Sequence, residues 1–280
     1  MMNKIEVVNL NKEYPAFQLK DISFGIPKGY VTGFIGKNGA GKTTTIKSIL
    51  SMINYKGTIL IDGKNTKETK YHQEVGVVMD DSFLAKDWTA KHVNSAMKVG
   101  YDSWDENRFF QYLGEFNIDK DLKVKELSRG MKIKLMLAIA LSHSAKLLIL
   151  DEPTSGLDPS MRDEFVGLIS KFMKEEDNTV LFSTHITQDL EVIADYIVFI
   201  DSGEIVLAKE KDEFKNYFMI LKGDAEYLEQ IDEAAILGKK VGSHSCELLV
   251  KRETLPSVPE GFVEDVVTID RIMVLFGKAA

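Results

Sequence analysis

The sequence has one cysteine, six prolines and no long apolar run. The single Cys246 cannot form a disulfide within the chain, and we expect it to be a small, unreactive residue in a strand. No apolar run approaches the roughly 20 residues that cross a bilayer, so we expect no transmembrane helix. The first residues carry charge early and lack the apolar stretch of a secretory signal. These absences predict a soluble cytoplasmic protein.

An excess of basic residues is also lacking. Lys and Arg number 35 against 43 Asp and Glu, and the formal net charge is -8. Because nucleic acid is bound mainly through clustered positive charge, we expect no nucleic-acid partner. At 280 residues, the chain has room for one large domain, or for one large and one small domain.

The most informative feature that is present is a glycine-rich segment, in which residues 36–43 read Gly-Lys-Asn-Gly-Ala-Gly-Lys-Thr. This pattern is typical of a phosphate-binding loop. Its backbone amides surround a triphosphate, Lys42 reaches the β- and γ-phosphates, and Thr43 places its hydroxyl on Mg²⁺. Residues 31–35 read as a buried strand and residues 44–50 as a helix. Such a helix directs its positive N-terminal end at the phosphates, which supports the interpretation.

Two neighbouring carboxylates follow a second buried strand. Residues 147–150 are all apolar, and Asp151 and Glu152 come directly after them. We expect Asp151 to hold Mg²⁺, directly or through water, and Glu152 to orient or deprotonate an attacking water. Adjacent acids at a strand end are common, so this motif becomes specific only in combination with the phosphate loop.

Three further motifs are ambiguous when taken one at a time. Ser128 and Gly130 precede an apolar helix, where they indicate either a second anion site or only a helix cap. Asp158 lies in a Ser-Gly-Leu-Asp-Pro segment. His185 follows another buried strand, and a lone histidine at such a position is more often structural than catalytic.

The pattern of apolar residues divides the rest of the chain into segments of different secondary structure. Residues 4–79 carry short strand-like runs, residues 84–142 become helical in character, and residues 196–208 read as a hairpin. Farther along, lysine and glutamate dominate, and short strands alternate with helical pieces. We therefore expect a main domain over residues 1–210 and a small α+β extension over residues 211–280.

Taken in order, these motifs resemble those of a known family. A phosphate loop, a Leu-Ser-x-Gly motif, a strand ending in Asp-Glu, a Ser-Gly-Leu-Asp segment and a later histidine make the chain similar to the nucleotide-binding subunits of ATP-binding cassette (ABC) transporters. The resemblance spans roughly residues 3–210 and is greatest to bacterial ABC-2-type exporter ATPases. It implies an α/β fold: a P-loop NTPase core with an antiparallel β subdomain, a helical subdomain over about 84–142, and the C-terminal extension.

The resemblance also implies a nucleotide site that is shared between two chains. Two subunits would pack head to tail around two ATP molecules with Mg²⁺. One chain would contribute phosphate-loop residues, namely Gly36, Asn38, Gly39, Ala40, Gly41, Lys42, Thr43 and Thr44. The other chain would contribute Ser128 and Gly130, and Asp158 would lie at the dimer interface.

Three more roles come from the resemblance. Glu152 would be the catalytic carboxylate, and His185 would contact the γ-phosphate and hold Glu152 and the water in line. Tyr14 occupies the position where the family stacks an aromatic ring on adenine. For Tyr14 an alternative stays open, which is an edge aromatic packed on the first sheet.

The chain departs from the family pattern at two places. Arg129 and Met131 replace the usual glycine and glutamine, while Ser128 and Gly130 are retained. Arg129 either points outward or adds charge beside the phosphates. Asp80 stands where the family usually has a glutamine that binds Mg²⁺ and faces the membrane subunit. Because a carboxylate is a harder ligand than an amide and Asp80 is shorter, we expect it to reach Mg²⁺ only in the ATP-bound dimer.

Residues 80–104 contain several apolar side chains within a polar stretch: Phe83, Leu84, Trp88, Tyr101 and Trp104. They indicate either the small core of the helical subdomain or a groove that takes a short helix from a membrane partner. Both interpretations can hold for different residues.

The function implied by the resemblance is an ATPase subunit that couples ATP-driven dimer closure to export through a separate integral-membrane permease. It would lie in the cytoplasm, peripheral on the inner face of the cell membrane. The second ATP-binding subunit would be another copy of this chain or a related chain. Two alternatives are a non-transport ABC ATPase acting on a soluble assembly and a degenerate ATP sensor. The intact pair of Glu152 and His185 disfavours the sensor.

Overall fold

The computed structural model describes residues 2–68, 71–79, 83–255 and 257–277. The strands in this part of the chain are β1 Asn3–Tyr14, β2 Phe17–Pro27, β3 Val31–Ile35, β4 Lys56–Ile61, β5 Lys64–Asn65, β6 Val75–Val78, β7 Leu147–Asp151, β8 Thr179–Thr184, β9 Tyr196–Asp201, β10 Glu204–Glu210, β11 Phe218–Asp224, β12 Ile236–Val241, β13 Ser245–Lys251 and β14 Phe262–Asp265. The α-helices are α1 Lys42–Ile49, α2 Ala90–Gly100, α3 Glu106–Glu115, α4 Arg129–Leu141, α5 Pro159–Phe172, α6 Gln188–Ile193, α7 Lys211–Tyr217 and α8 Ile269–Leu275.

A central sheet of mostly parallel strands positions the site. Its strand order is β10-β9-β3-β8-β7-β6, and only β10 pairs antiparallel to its neighbour. Every residue of β3, β7 and β8 is buried, as expected for parallel strands covered on both faces. The carboxyl ends of these strands lie at one edge of the sheet, so the segments that follow them in sequence meet there.

A second, antiparallel sheet covers one face of the central sheet. Its order is β2-β1-β4-β5. Ile5 and Ile59 from this sheet share a buried cluster with Phe34 and Ile149 of the central sheet. The packing brings the β1–β2 hairpin beside the phosphate loop, because the ring of Phe17 would lie 2.9 Å from a Cβ placed on Gly41.

Three helices, α2 to α4, lie within residues 84–142, whose sequence is helical in character. Asp105 caps α3 by accepting a hydrogen bond from the amide of Arg108 at 2.9 Å. Helix α4 is buried along most of its length, as its apolar sequence predicts. In the described residues, no helix has the length and apolar character that a membrane crossing requires.

The predicted hairpin is confirmed between β9 and β10. Ser202 and Gly203 form its tip, with φ of 49° and 80°. Positive φ at both positions is typical of the tight turns that match strand twist. Gly203 also allows a close approach, since a Cβ there would lie 1.9 Å from the carbonyl oxygen of Gln18.

The C-terminal extension contains a third sheet, ordered β12-β13-β11-β14 and antiparallel throughout. One face has its own small core, which includes Met219 and Leu248. The other face carries Ile220 and Leu249 and joins the main core together with α8. Cys246 is buried in β13, as the sequence predicts, and burial raises the pKa of its thiol, which disfavours the reactive thiolate.

Candidate active site

The phosphate loop leaves β3 and continues into α1. Gly41 precedes the helix with φ of 116°, a conformation that residues with a side chain rarely adopt. Gly36 is required for a different reason, because a Cβ there would lie 2.4 Å from the carbonyl oxygen of Ile200. At Gly39, with φ of 82°, nothing lies within 4 Å of the Cβ position. The loop is therefore supported by the sheet on one side and open on the other.

Lys42 is buried, and its ammonium has three oxygen partners. Nζ donates to the carbonyl oxygens of Gly36 at 2.7 Å and Lys37 at 3.3 Å. It also lies 3.2 Å from Oε1 of Glu152. The loop carbonyls fix the ammonium at the mouth of the loop, where partial burial strengthens its attraction for a negative group.

Asp151 and Thr43 form the second part of the site. Asp151 is 2% exposed, and Oγ of Ser183 donates to its Oδ1 at 3.1 Å. Burial raises the pKa of Asp151, while hydrogen bonds from Thr43 and Ser183 oppose that shift. A carboxylate beside a hydroxyl fits Mg²⁺, which commonly takes one or two protein carboxylates together with substrate phosphates. The described residues contain no cluster of three His, Cys, Asp or Glu side chains that could hold a metal ion by themselves.

Glu152 and His185 form a close pair. Oε2 of Glu152 lies 2.6 Å from Nδ1 of His185, and the backbone amide of His185 donates to the same oxygen at 3.3 Å. Glu152 has φ of 52°, and its amide donates to the carbonyl oxygen of Ser183 at 2.9 Å. Such a backbone conformation costs roughly 1–3 kcal/mol and persists where the surroundings impose it. The neighbouring strand thus holds the carboxylate in a fixed direction.

These groups face an open cleft of 570 Å³. Its volume is in the usual range for a small-molecule site, about 300–1,000 Å³. The cleft is lined by residues from the β1–β2 turn, the phosphate loop and the ends of β7 and β8, namely Ala16, Phe17, Asn38, Gly39, Gly41, Lys42, Thr43, Thr44, Glu152, Ser155 and His185. The fold therefore brings together site residues that were predicted from three separate segments.

The aromatic residue on the cleft is Phe17, which the sequence analysis missed. Tyr14 lies outside the cleft lining, is 41% exposed, and has Nζ of Lys12 at 5.0 Å from its ring centroid. Phe17 pairs with Tyr14 across the turn between β1 and β2. The sequence did contain a signal for Phe17, which is the short turn at Pro15-Ala16. Residues that pair across a hairpin lie side by side, so this turn places Phe17 next to Tyr14.

Ser128, Gly130 and Asp158 do not line this cleft. Oγ of Ser128 accepts from the amide of Met131 at 3.3 Å and caps α4. Asp158 accepts from the amide of Met161 at 3.0 Å and caps α5. A Cβ on Gly130 would lie 2.0 Å from Cε of Met161, so the glycine leaves room for the end of that side chain. Within one chain, all three residues therefore have a structural role.

The structure describes only one of the two departures from the family pattern. Asp80 lies outside the described residues, whereas Arg129 and Met131 lie within them. Arg129 directs its guanidinium toward Gly156 of the same chain, with Nη1 3.6 Å from the Cβ position of that glycine. Met131 is half-buried against the main core.

The aromatic stretch is mostly core. The packed members are Leu84, Trp88, Tyr101 and Trp104. Phe83 differs, because 53% of it is exposed. Packing thus accounts for four of these residues and leaves Phe83 available for contact with another molecule.

The fold and the site define a P-loop nucleoside triphosphatase, and comparisons with known proteins give the family. A family model described as ABC transporter matches residues 19–155. Lantibiotic transport ATP-binding protein SrtF of Streptococcus pyogenes is 36% identical over 217 residues, which cover 76% of this chain and 93% of SrtF. The uncharacterized ABC transporter ATP-binding protein YhcH of Bacillus subtilis (strain 168) is 31% identical over 288 residues, covering 98% of this chain and 93% of YhcH.

A solved structure, described as the structure of an ATP-binding subunit of an ABC transporter, superposes with a TM-score of 0.68 at 27% identity. The superposition covers 75% of this chain and 91% of the other. The chain therefore belongs to the ATP-binding subunits of ABC transporters, and its enzymatic activity is ATP hydrolysis. The predicted family and fold class are confirmed.

Proposed function

We propose that this chain powers export through a separate integral-membrane permease. The observation that carries the proposal is the linked group of Lys42, Glu152 and His185 beside the phosphate loop. These are the charged and proton-accepting groups that phosphoryl transfer to water requires. The similarity to SrtF, a lantibiotic transport ATP-binding protein, supports a transport role over work on a soluble assembly.

Substrate binding follows from the loop geometry. The phosphates of ATP bind the amides of residues 36–44 and the ammonium of Lys42, and Phe17 or Tyr14 contacts the base. Mg²⁺ would be held by Thr43 and Asp151, where it neutralises charge on the phosphates. Asp80 stays our proposed further ligand in the closed, ATP-bound dimer.

Hydrolysis requires Glu152 to accept a proton from water. Oε1 of Glu152 contacts Nζ of Lys42, and Oε2 contacts His185. The γ-phosphate carries more charge than a carboxylate, so it competes for Lys42 and releases Oε1 for the water. The water attacks the γ-phosphorus, its proton passes to Glu152, and the bond to ADP breaks. His185 keeps the carboxylate aligned during this step.

The cleft of one chain supplies only half of the proposed site. Ser128 is exposed at the N-terminus of α4, where a helix end attracts negative charge. We propose that Ser128 and Gly130 of a second copy close over the ATP, with Asp158 at the interface. Because all motifs occur in one chain, two copies complete two sites. Removal of the γ-phosphate then loosens the dimer, which is the motion that the permease uses.

The proposed location is cytoplasmic, peripheral on the inner face of the cell membrane. Phe83 offers an exposed aromatic surface next to the helical part of the molecule. Aromatic side chains are enriched at the buried centre of protein–protein interfaces. We therefore assign Phe83 to the interface with the permease.

The variant Glu152→Gln tests the catalytic role. Its amide cannot accept a proton, so we expect phosphate release to fall at least about 100-fold while ATP still binds. Glu229→Gln is the matched control, because Glu229 is exposed in the C-terminal extension. If Glu152→Gln released phosphate at the wild-type rate, the proposed role of Glu152 would be wrong.

A further inference from the structure

The last helix, α8, ends at the phosphate loop. Nζ of Lys37 donates to the carbonyl oxygen of Phe276 at 2.5 Å. The helix end is also fixed to β12, since the amide of Gly277 donates to the carbonyl oxygen of Leu237 at 3.0 Å. A Cβ on Gly238 would lie 2.0 Å from the carbonyl oxygen of Leu275. The C-terminal end of α8 is therefore held between the extension and the nucleotide loop.

The same helix begins beside the segment that carries His185. Oγ1 of Thr187, two residues after His185, donates to Oδ1 of Asp270 at 3.2 Å. Thr187 is 1% exposed, so this hydroxyl is shielded from competing water. The amide of Ile269 donates to Oε1 of Glu191 in α6 at 2.6 Å. The first turn of α8 thus fixes both the His185 segment and the helix that follows it.

The body of α8 is packed well enough to connect its two ends. Ile269, Ile272 and Leu275 are buried in the main core. The ring of Phe276 lies 4.8 Å from that of Phe199 in an edge-to-face arrangement. A helix of this length spans about 10 Å and, when buried along one side, moves as a unit.

We propose that α8 is a strap by which the C-terminal extension positions the catalytic histidine relative to the phosphate loop. Asp270 acts at one end through Thr187, and Phe276 acts at the other through Lys37. Both are positioning residues, since neither faces the cleft. The proposal rests on the catalytic roles assigned above to Glu152 and His185. It gives the extension a place in hydrolysis, because movement of its sheet would move both loops together.

The first test compares two variants of one residue. Thr187→Val removes the hydroxyl at nearly constant volume, and Thr187→Ser keeps it. We expect kcat for ATP hydrolysis to fall about tenfold in Thr187→Val, because misalignment of the general base is costly, and to stay within about twofold in Thr187→Ser. KM for ATP should change less than about twofold in both, since the phosphate-loop contacts are untouched.

A second pair of variants, at Asp270, checks that a loss of activity does not come from misfolding. Asp270 is exposed, so Asp270→Ala should fold, and it should lower kcat as Thr187→Val does. Asp270→Asn keeps an acceptor oxygen, so its kcat should stay close to that of the wild type. Asp212→Ala is the matched control, because Asp212 is an exposed acid in the first turn of α7. The double variant Thr187→Val with Asp270→Ala should be no slower than either single variant.

The strap is excluded if Thr187→Val and Thr187→Ser have the same kcat. It is also excluded if the fold-decrease in kcat of the double variant equals the product of the decreases in the two single variants. Glu152→Gln, measured in the same assay, separates the two proposals. A loss in Glu152→Gln without a loss in Thr187→Val rejects the strap alone. Wild-type hydrolysis by Glu152→Gln rejects the catalytic assignment on which the strap rests.

Discussion

Glu152 shows how much of the site depends on a single backbone conformation. A φ of 52° is uncommon for a residue with a side chain, and the hydrogen bond from its amide to the carbonyl of Ser183 in the adjacent strand helps to hold it. The result is a carboxylate that contacts Lys42 with one oxygen and His185 with the other. A residue in an ordinary extended conformation would continue the direction of β7 and would not hold this pair of contacts.

His143 is a buried titratable group outside the cleft. It is 0% exposed, and its ring stacks on Tyr101 with centroids 3.9 Å apart. Burial lowers the pKa of His143, while a hydrogen bond with the carbonyl of Gln73 opposes the shift. Because the unfolded chain binds a proton near pH 6.5 and the folded chain resists it, His143 removes stability as the pH falls through that value.

We therefore predict that His143→Phe flattens the acid side of the stability profile. Phenylalanine keeps the stack on Tyr101 and does not titrate. Between pH 7.5 and pH 5.5, the wild type should lose up to about 1.4 kcal/mol more of its free energy of unfolding than the variant does. Urea denaturation at the two pH values measures the free energy of unfolding of the wild type and of the variant. Equal losses would show that His143 takes up its proton without cost to folding.

Single residues were predictable where chemistry requires one side chain. Lys42, Asp151 and Glu152 follow from motif and spacing. Lys42 and Glu152 line the cleft, and Asp151 ends β7 beside it. Phe17, which lines the cleft, was not singled out from the sequence, because any aromatic ring can stack on a base and no pattern distinguishes it from Tyr14. The cap at Ser128 was predicted from the sequence as one of two interpretations, and the cap at Asp158 was not.

At the scale of helices and strands, Asp158 combines a cap with a proposed interface role. Its carboxylate accepts from the amide of Met161 at 3.0 Å, and the side chain is exposed. We predict that Asp158→Ala lowers the free energy of unfolding by about 0.5–2 kcal/mol, whereas Asp158→Ser keeps the cap and the stability. Both variants should hydrolyse ATP slowly, because the interface carboxylate is lost. If Asp158→Ser restored activity along with stability, Asp158 would be a cap only.

Strands and helices were predictable where burial is complete. β3, β7 and β8 have apolar sequences because both faces are covered, and α4 is apolar nearly all round for the same reason. β12 was not predicted, since its sequence Ile-Leu-Gly-Lys-Lys-Val lacks alternation and has only Gly238 fully buried. That glycine is explained by tertiary structure alone, because α8 approaches it closely.

At the scale of the whole molecule, the C-terminal extension packs into the main core. Phe214 and Phe218 join Phe199 of the central sheet in one aromatic group. Burial of such rings against each other typically contributes about 0.5–1.5 kcal/mol per pair beyond the area effect. The match to YhcH covers 98% of the chain and so includes nearly all of this extension.

We propose that ATP binds between two copies of this chain, and sedimentation of the Glu152→Gln variant with Mg²⁺ and ATP tests this. We expect a dimer with ATP and a monomer without it. Adding Ser128→Asp keeps the helix cap but places a negative charge against the phosphates, so it should return the protein to a monomer with unchanged stability. A monomer under all conditions, or a dimer that Ser128→Asp leaves intact, would show that ATP is not bound between two copies in this way.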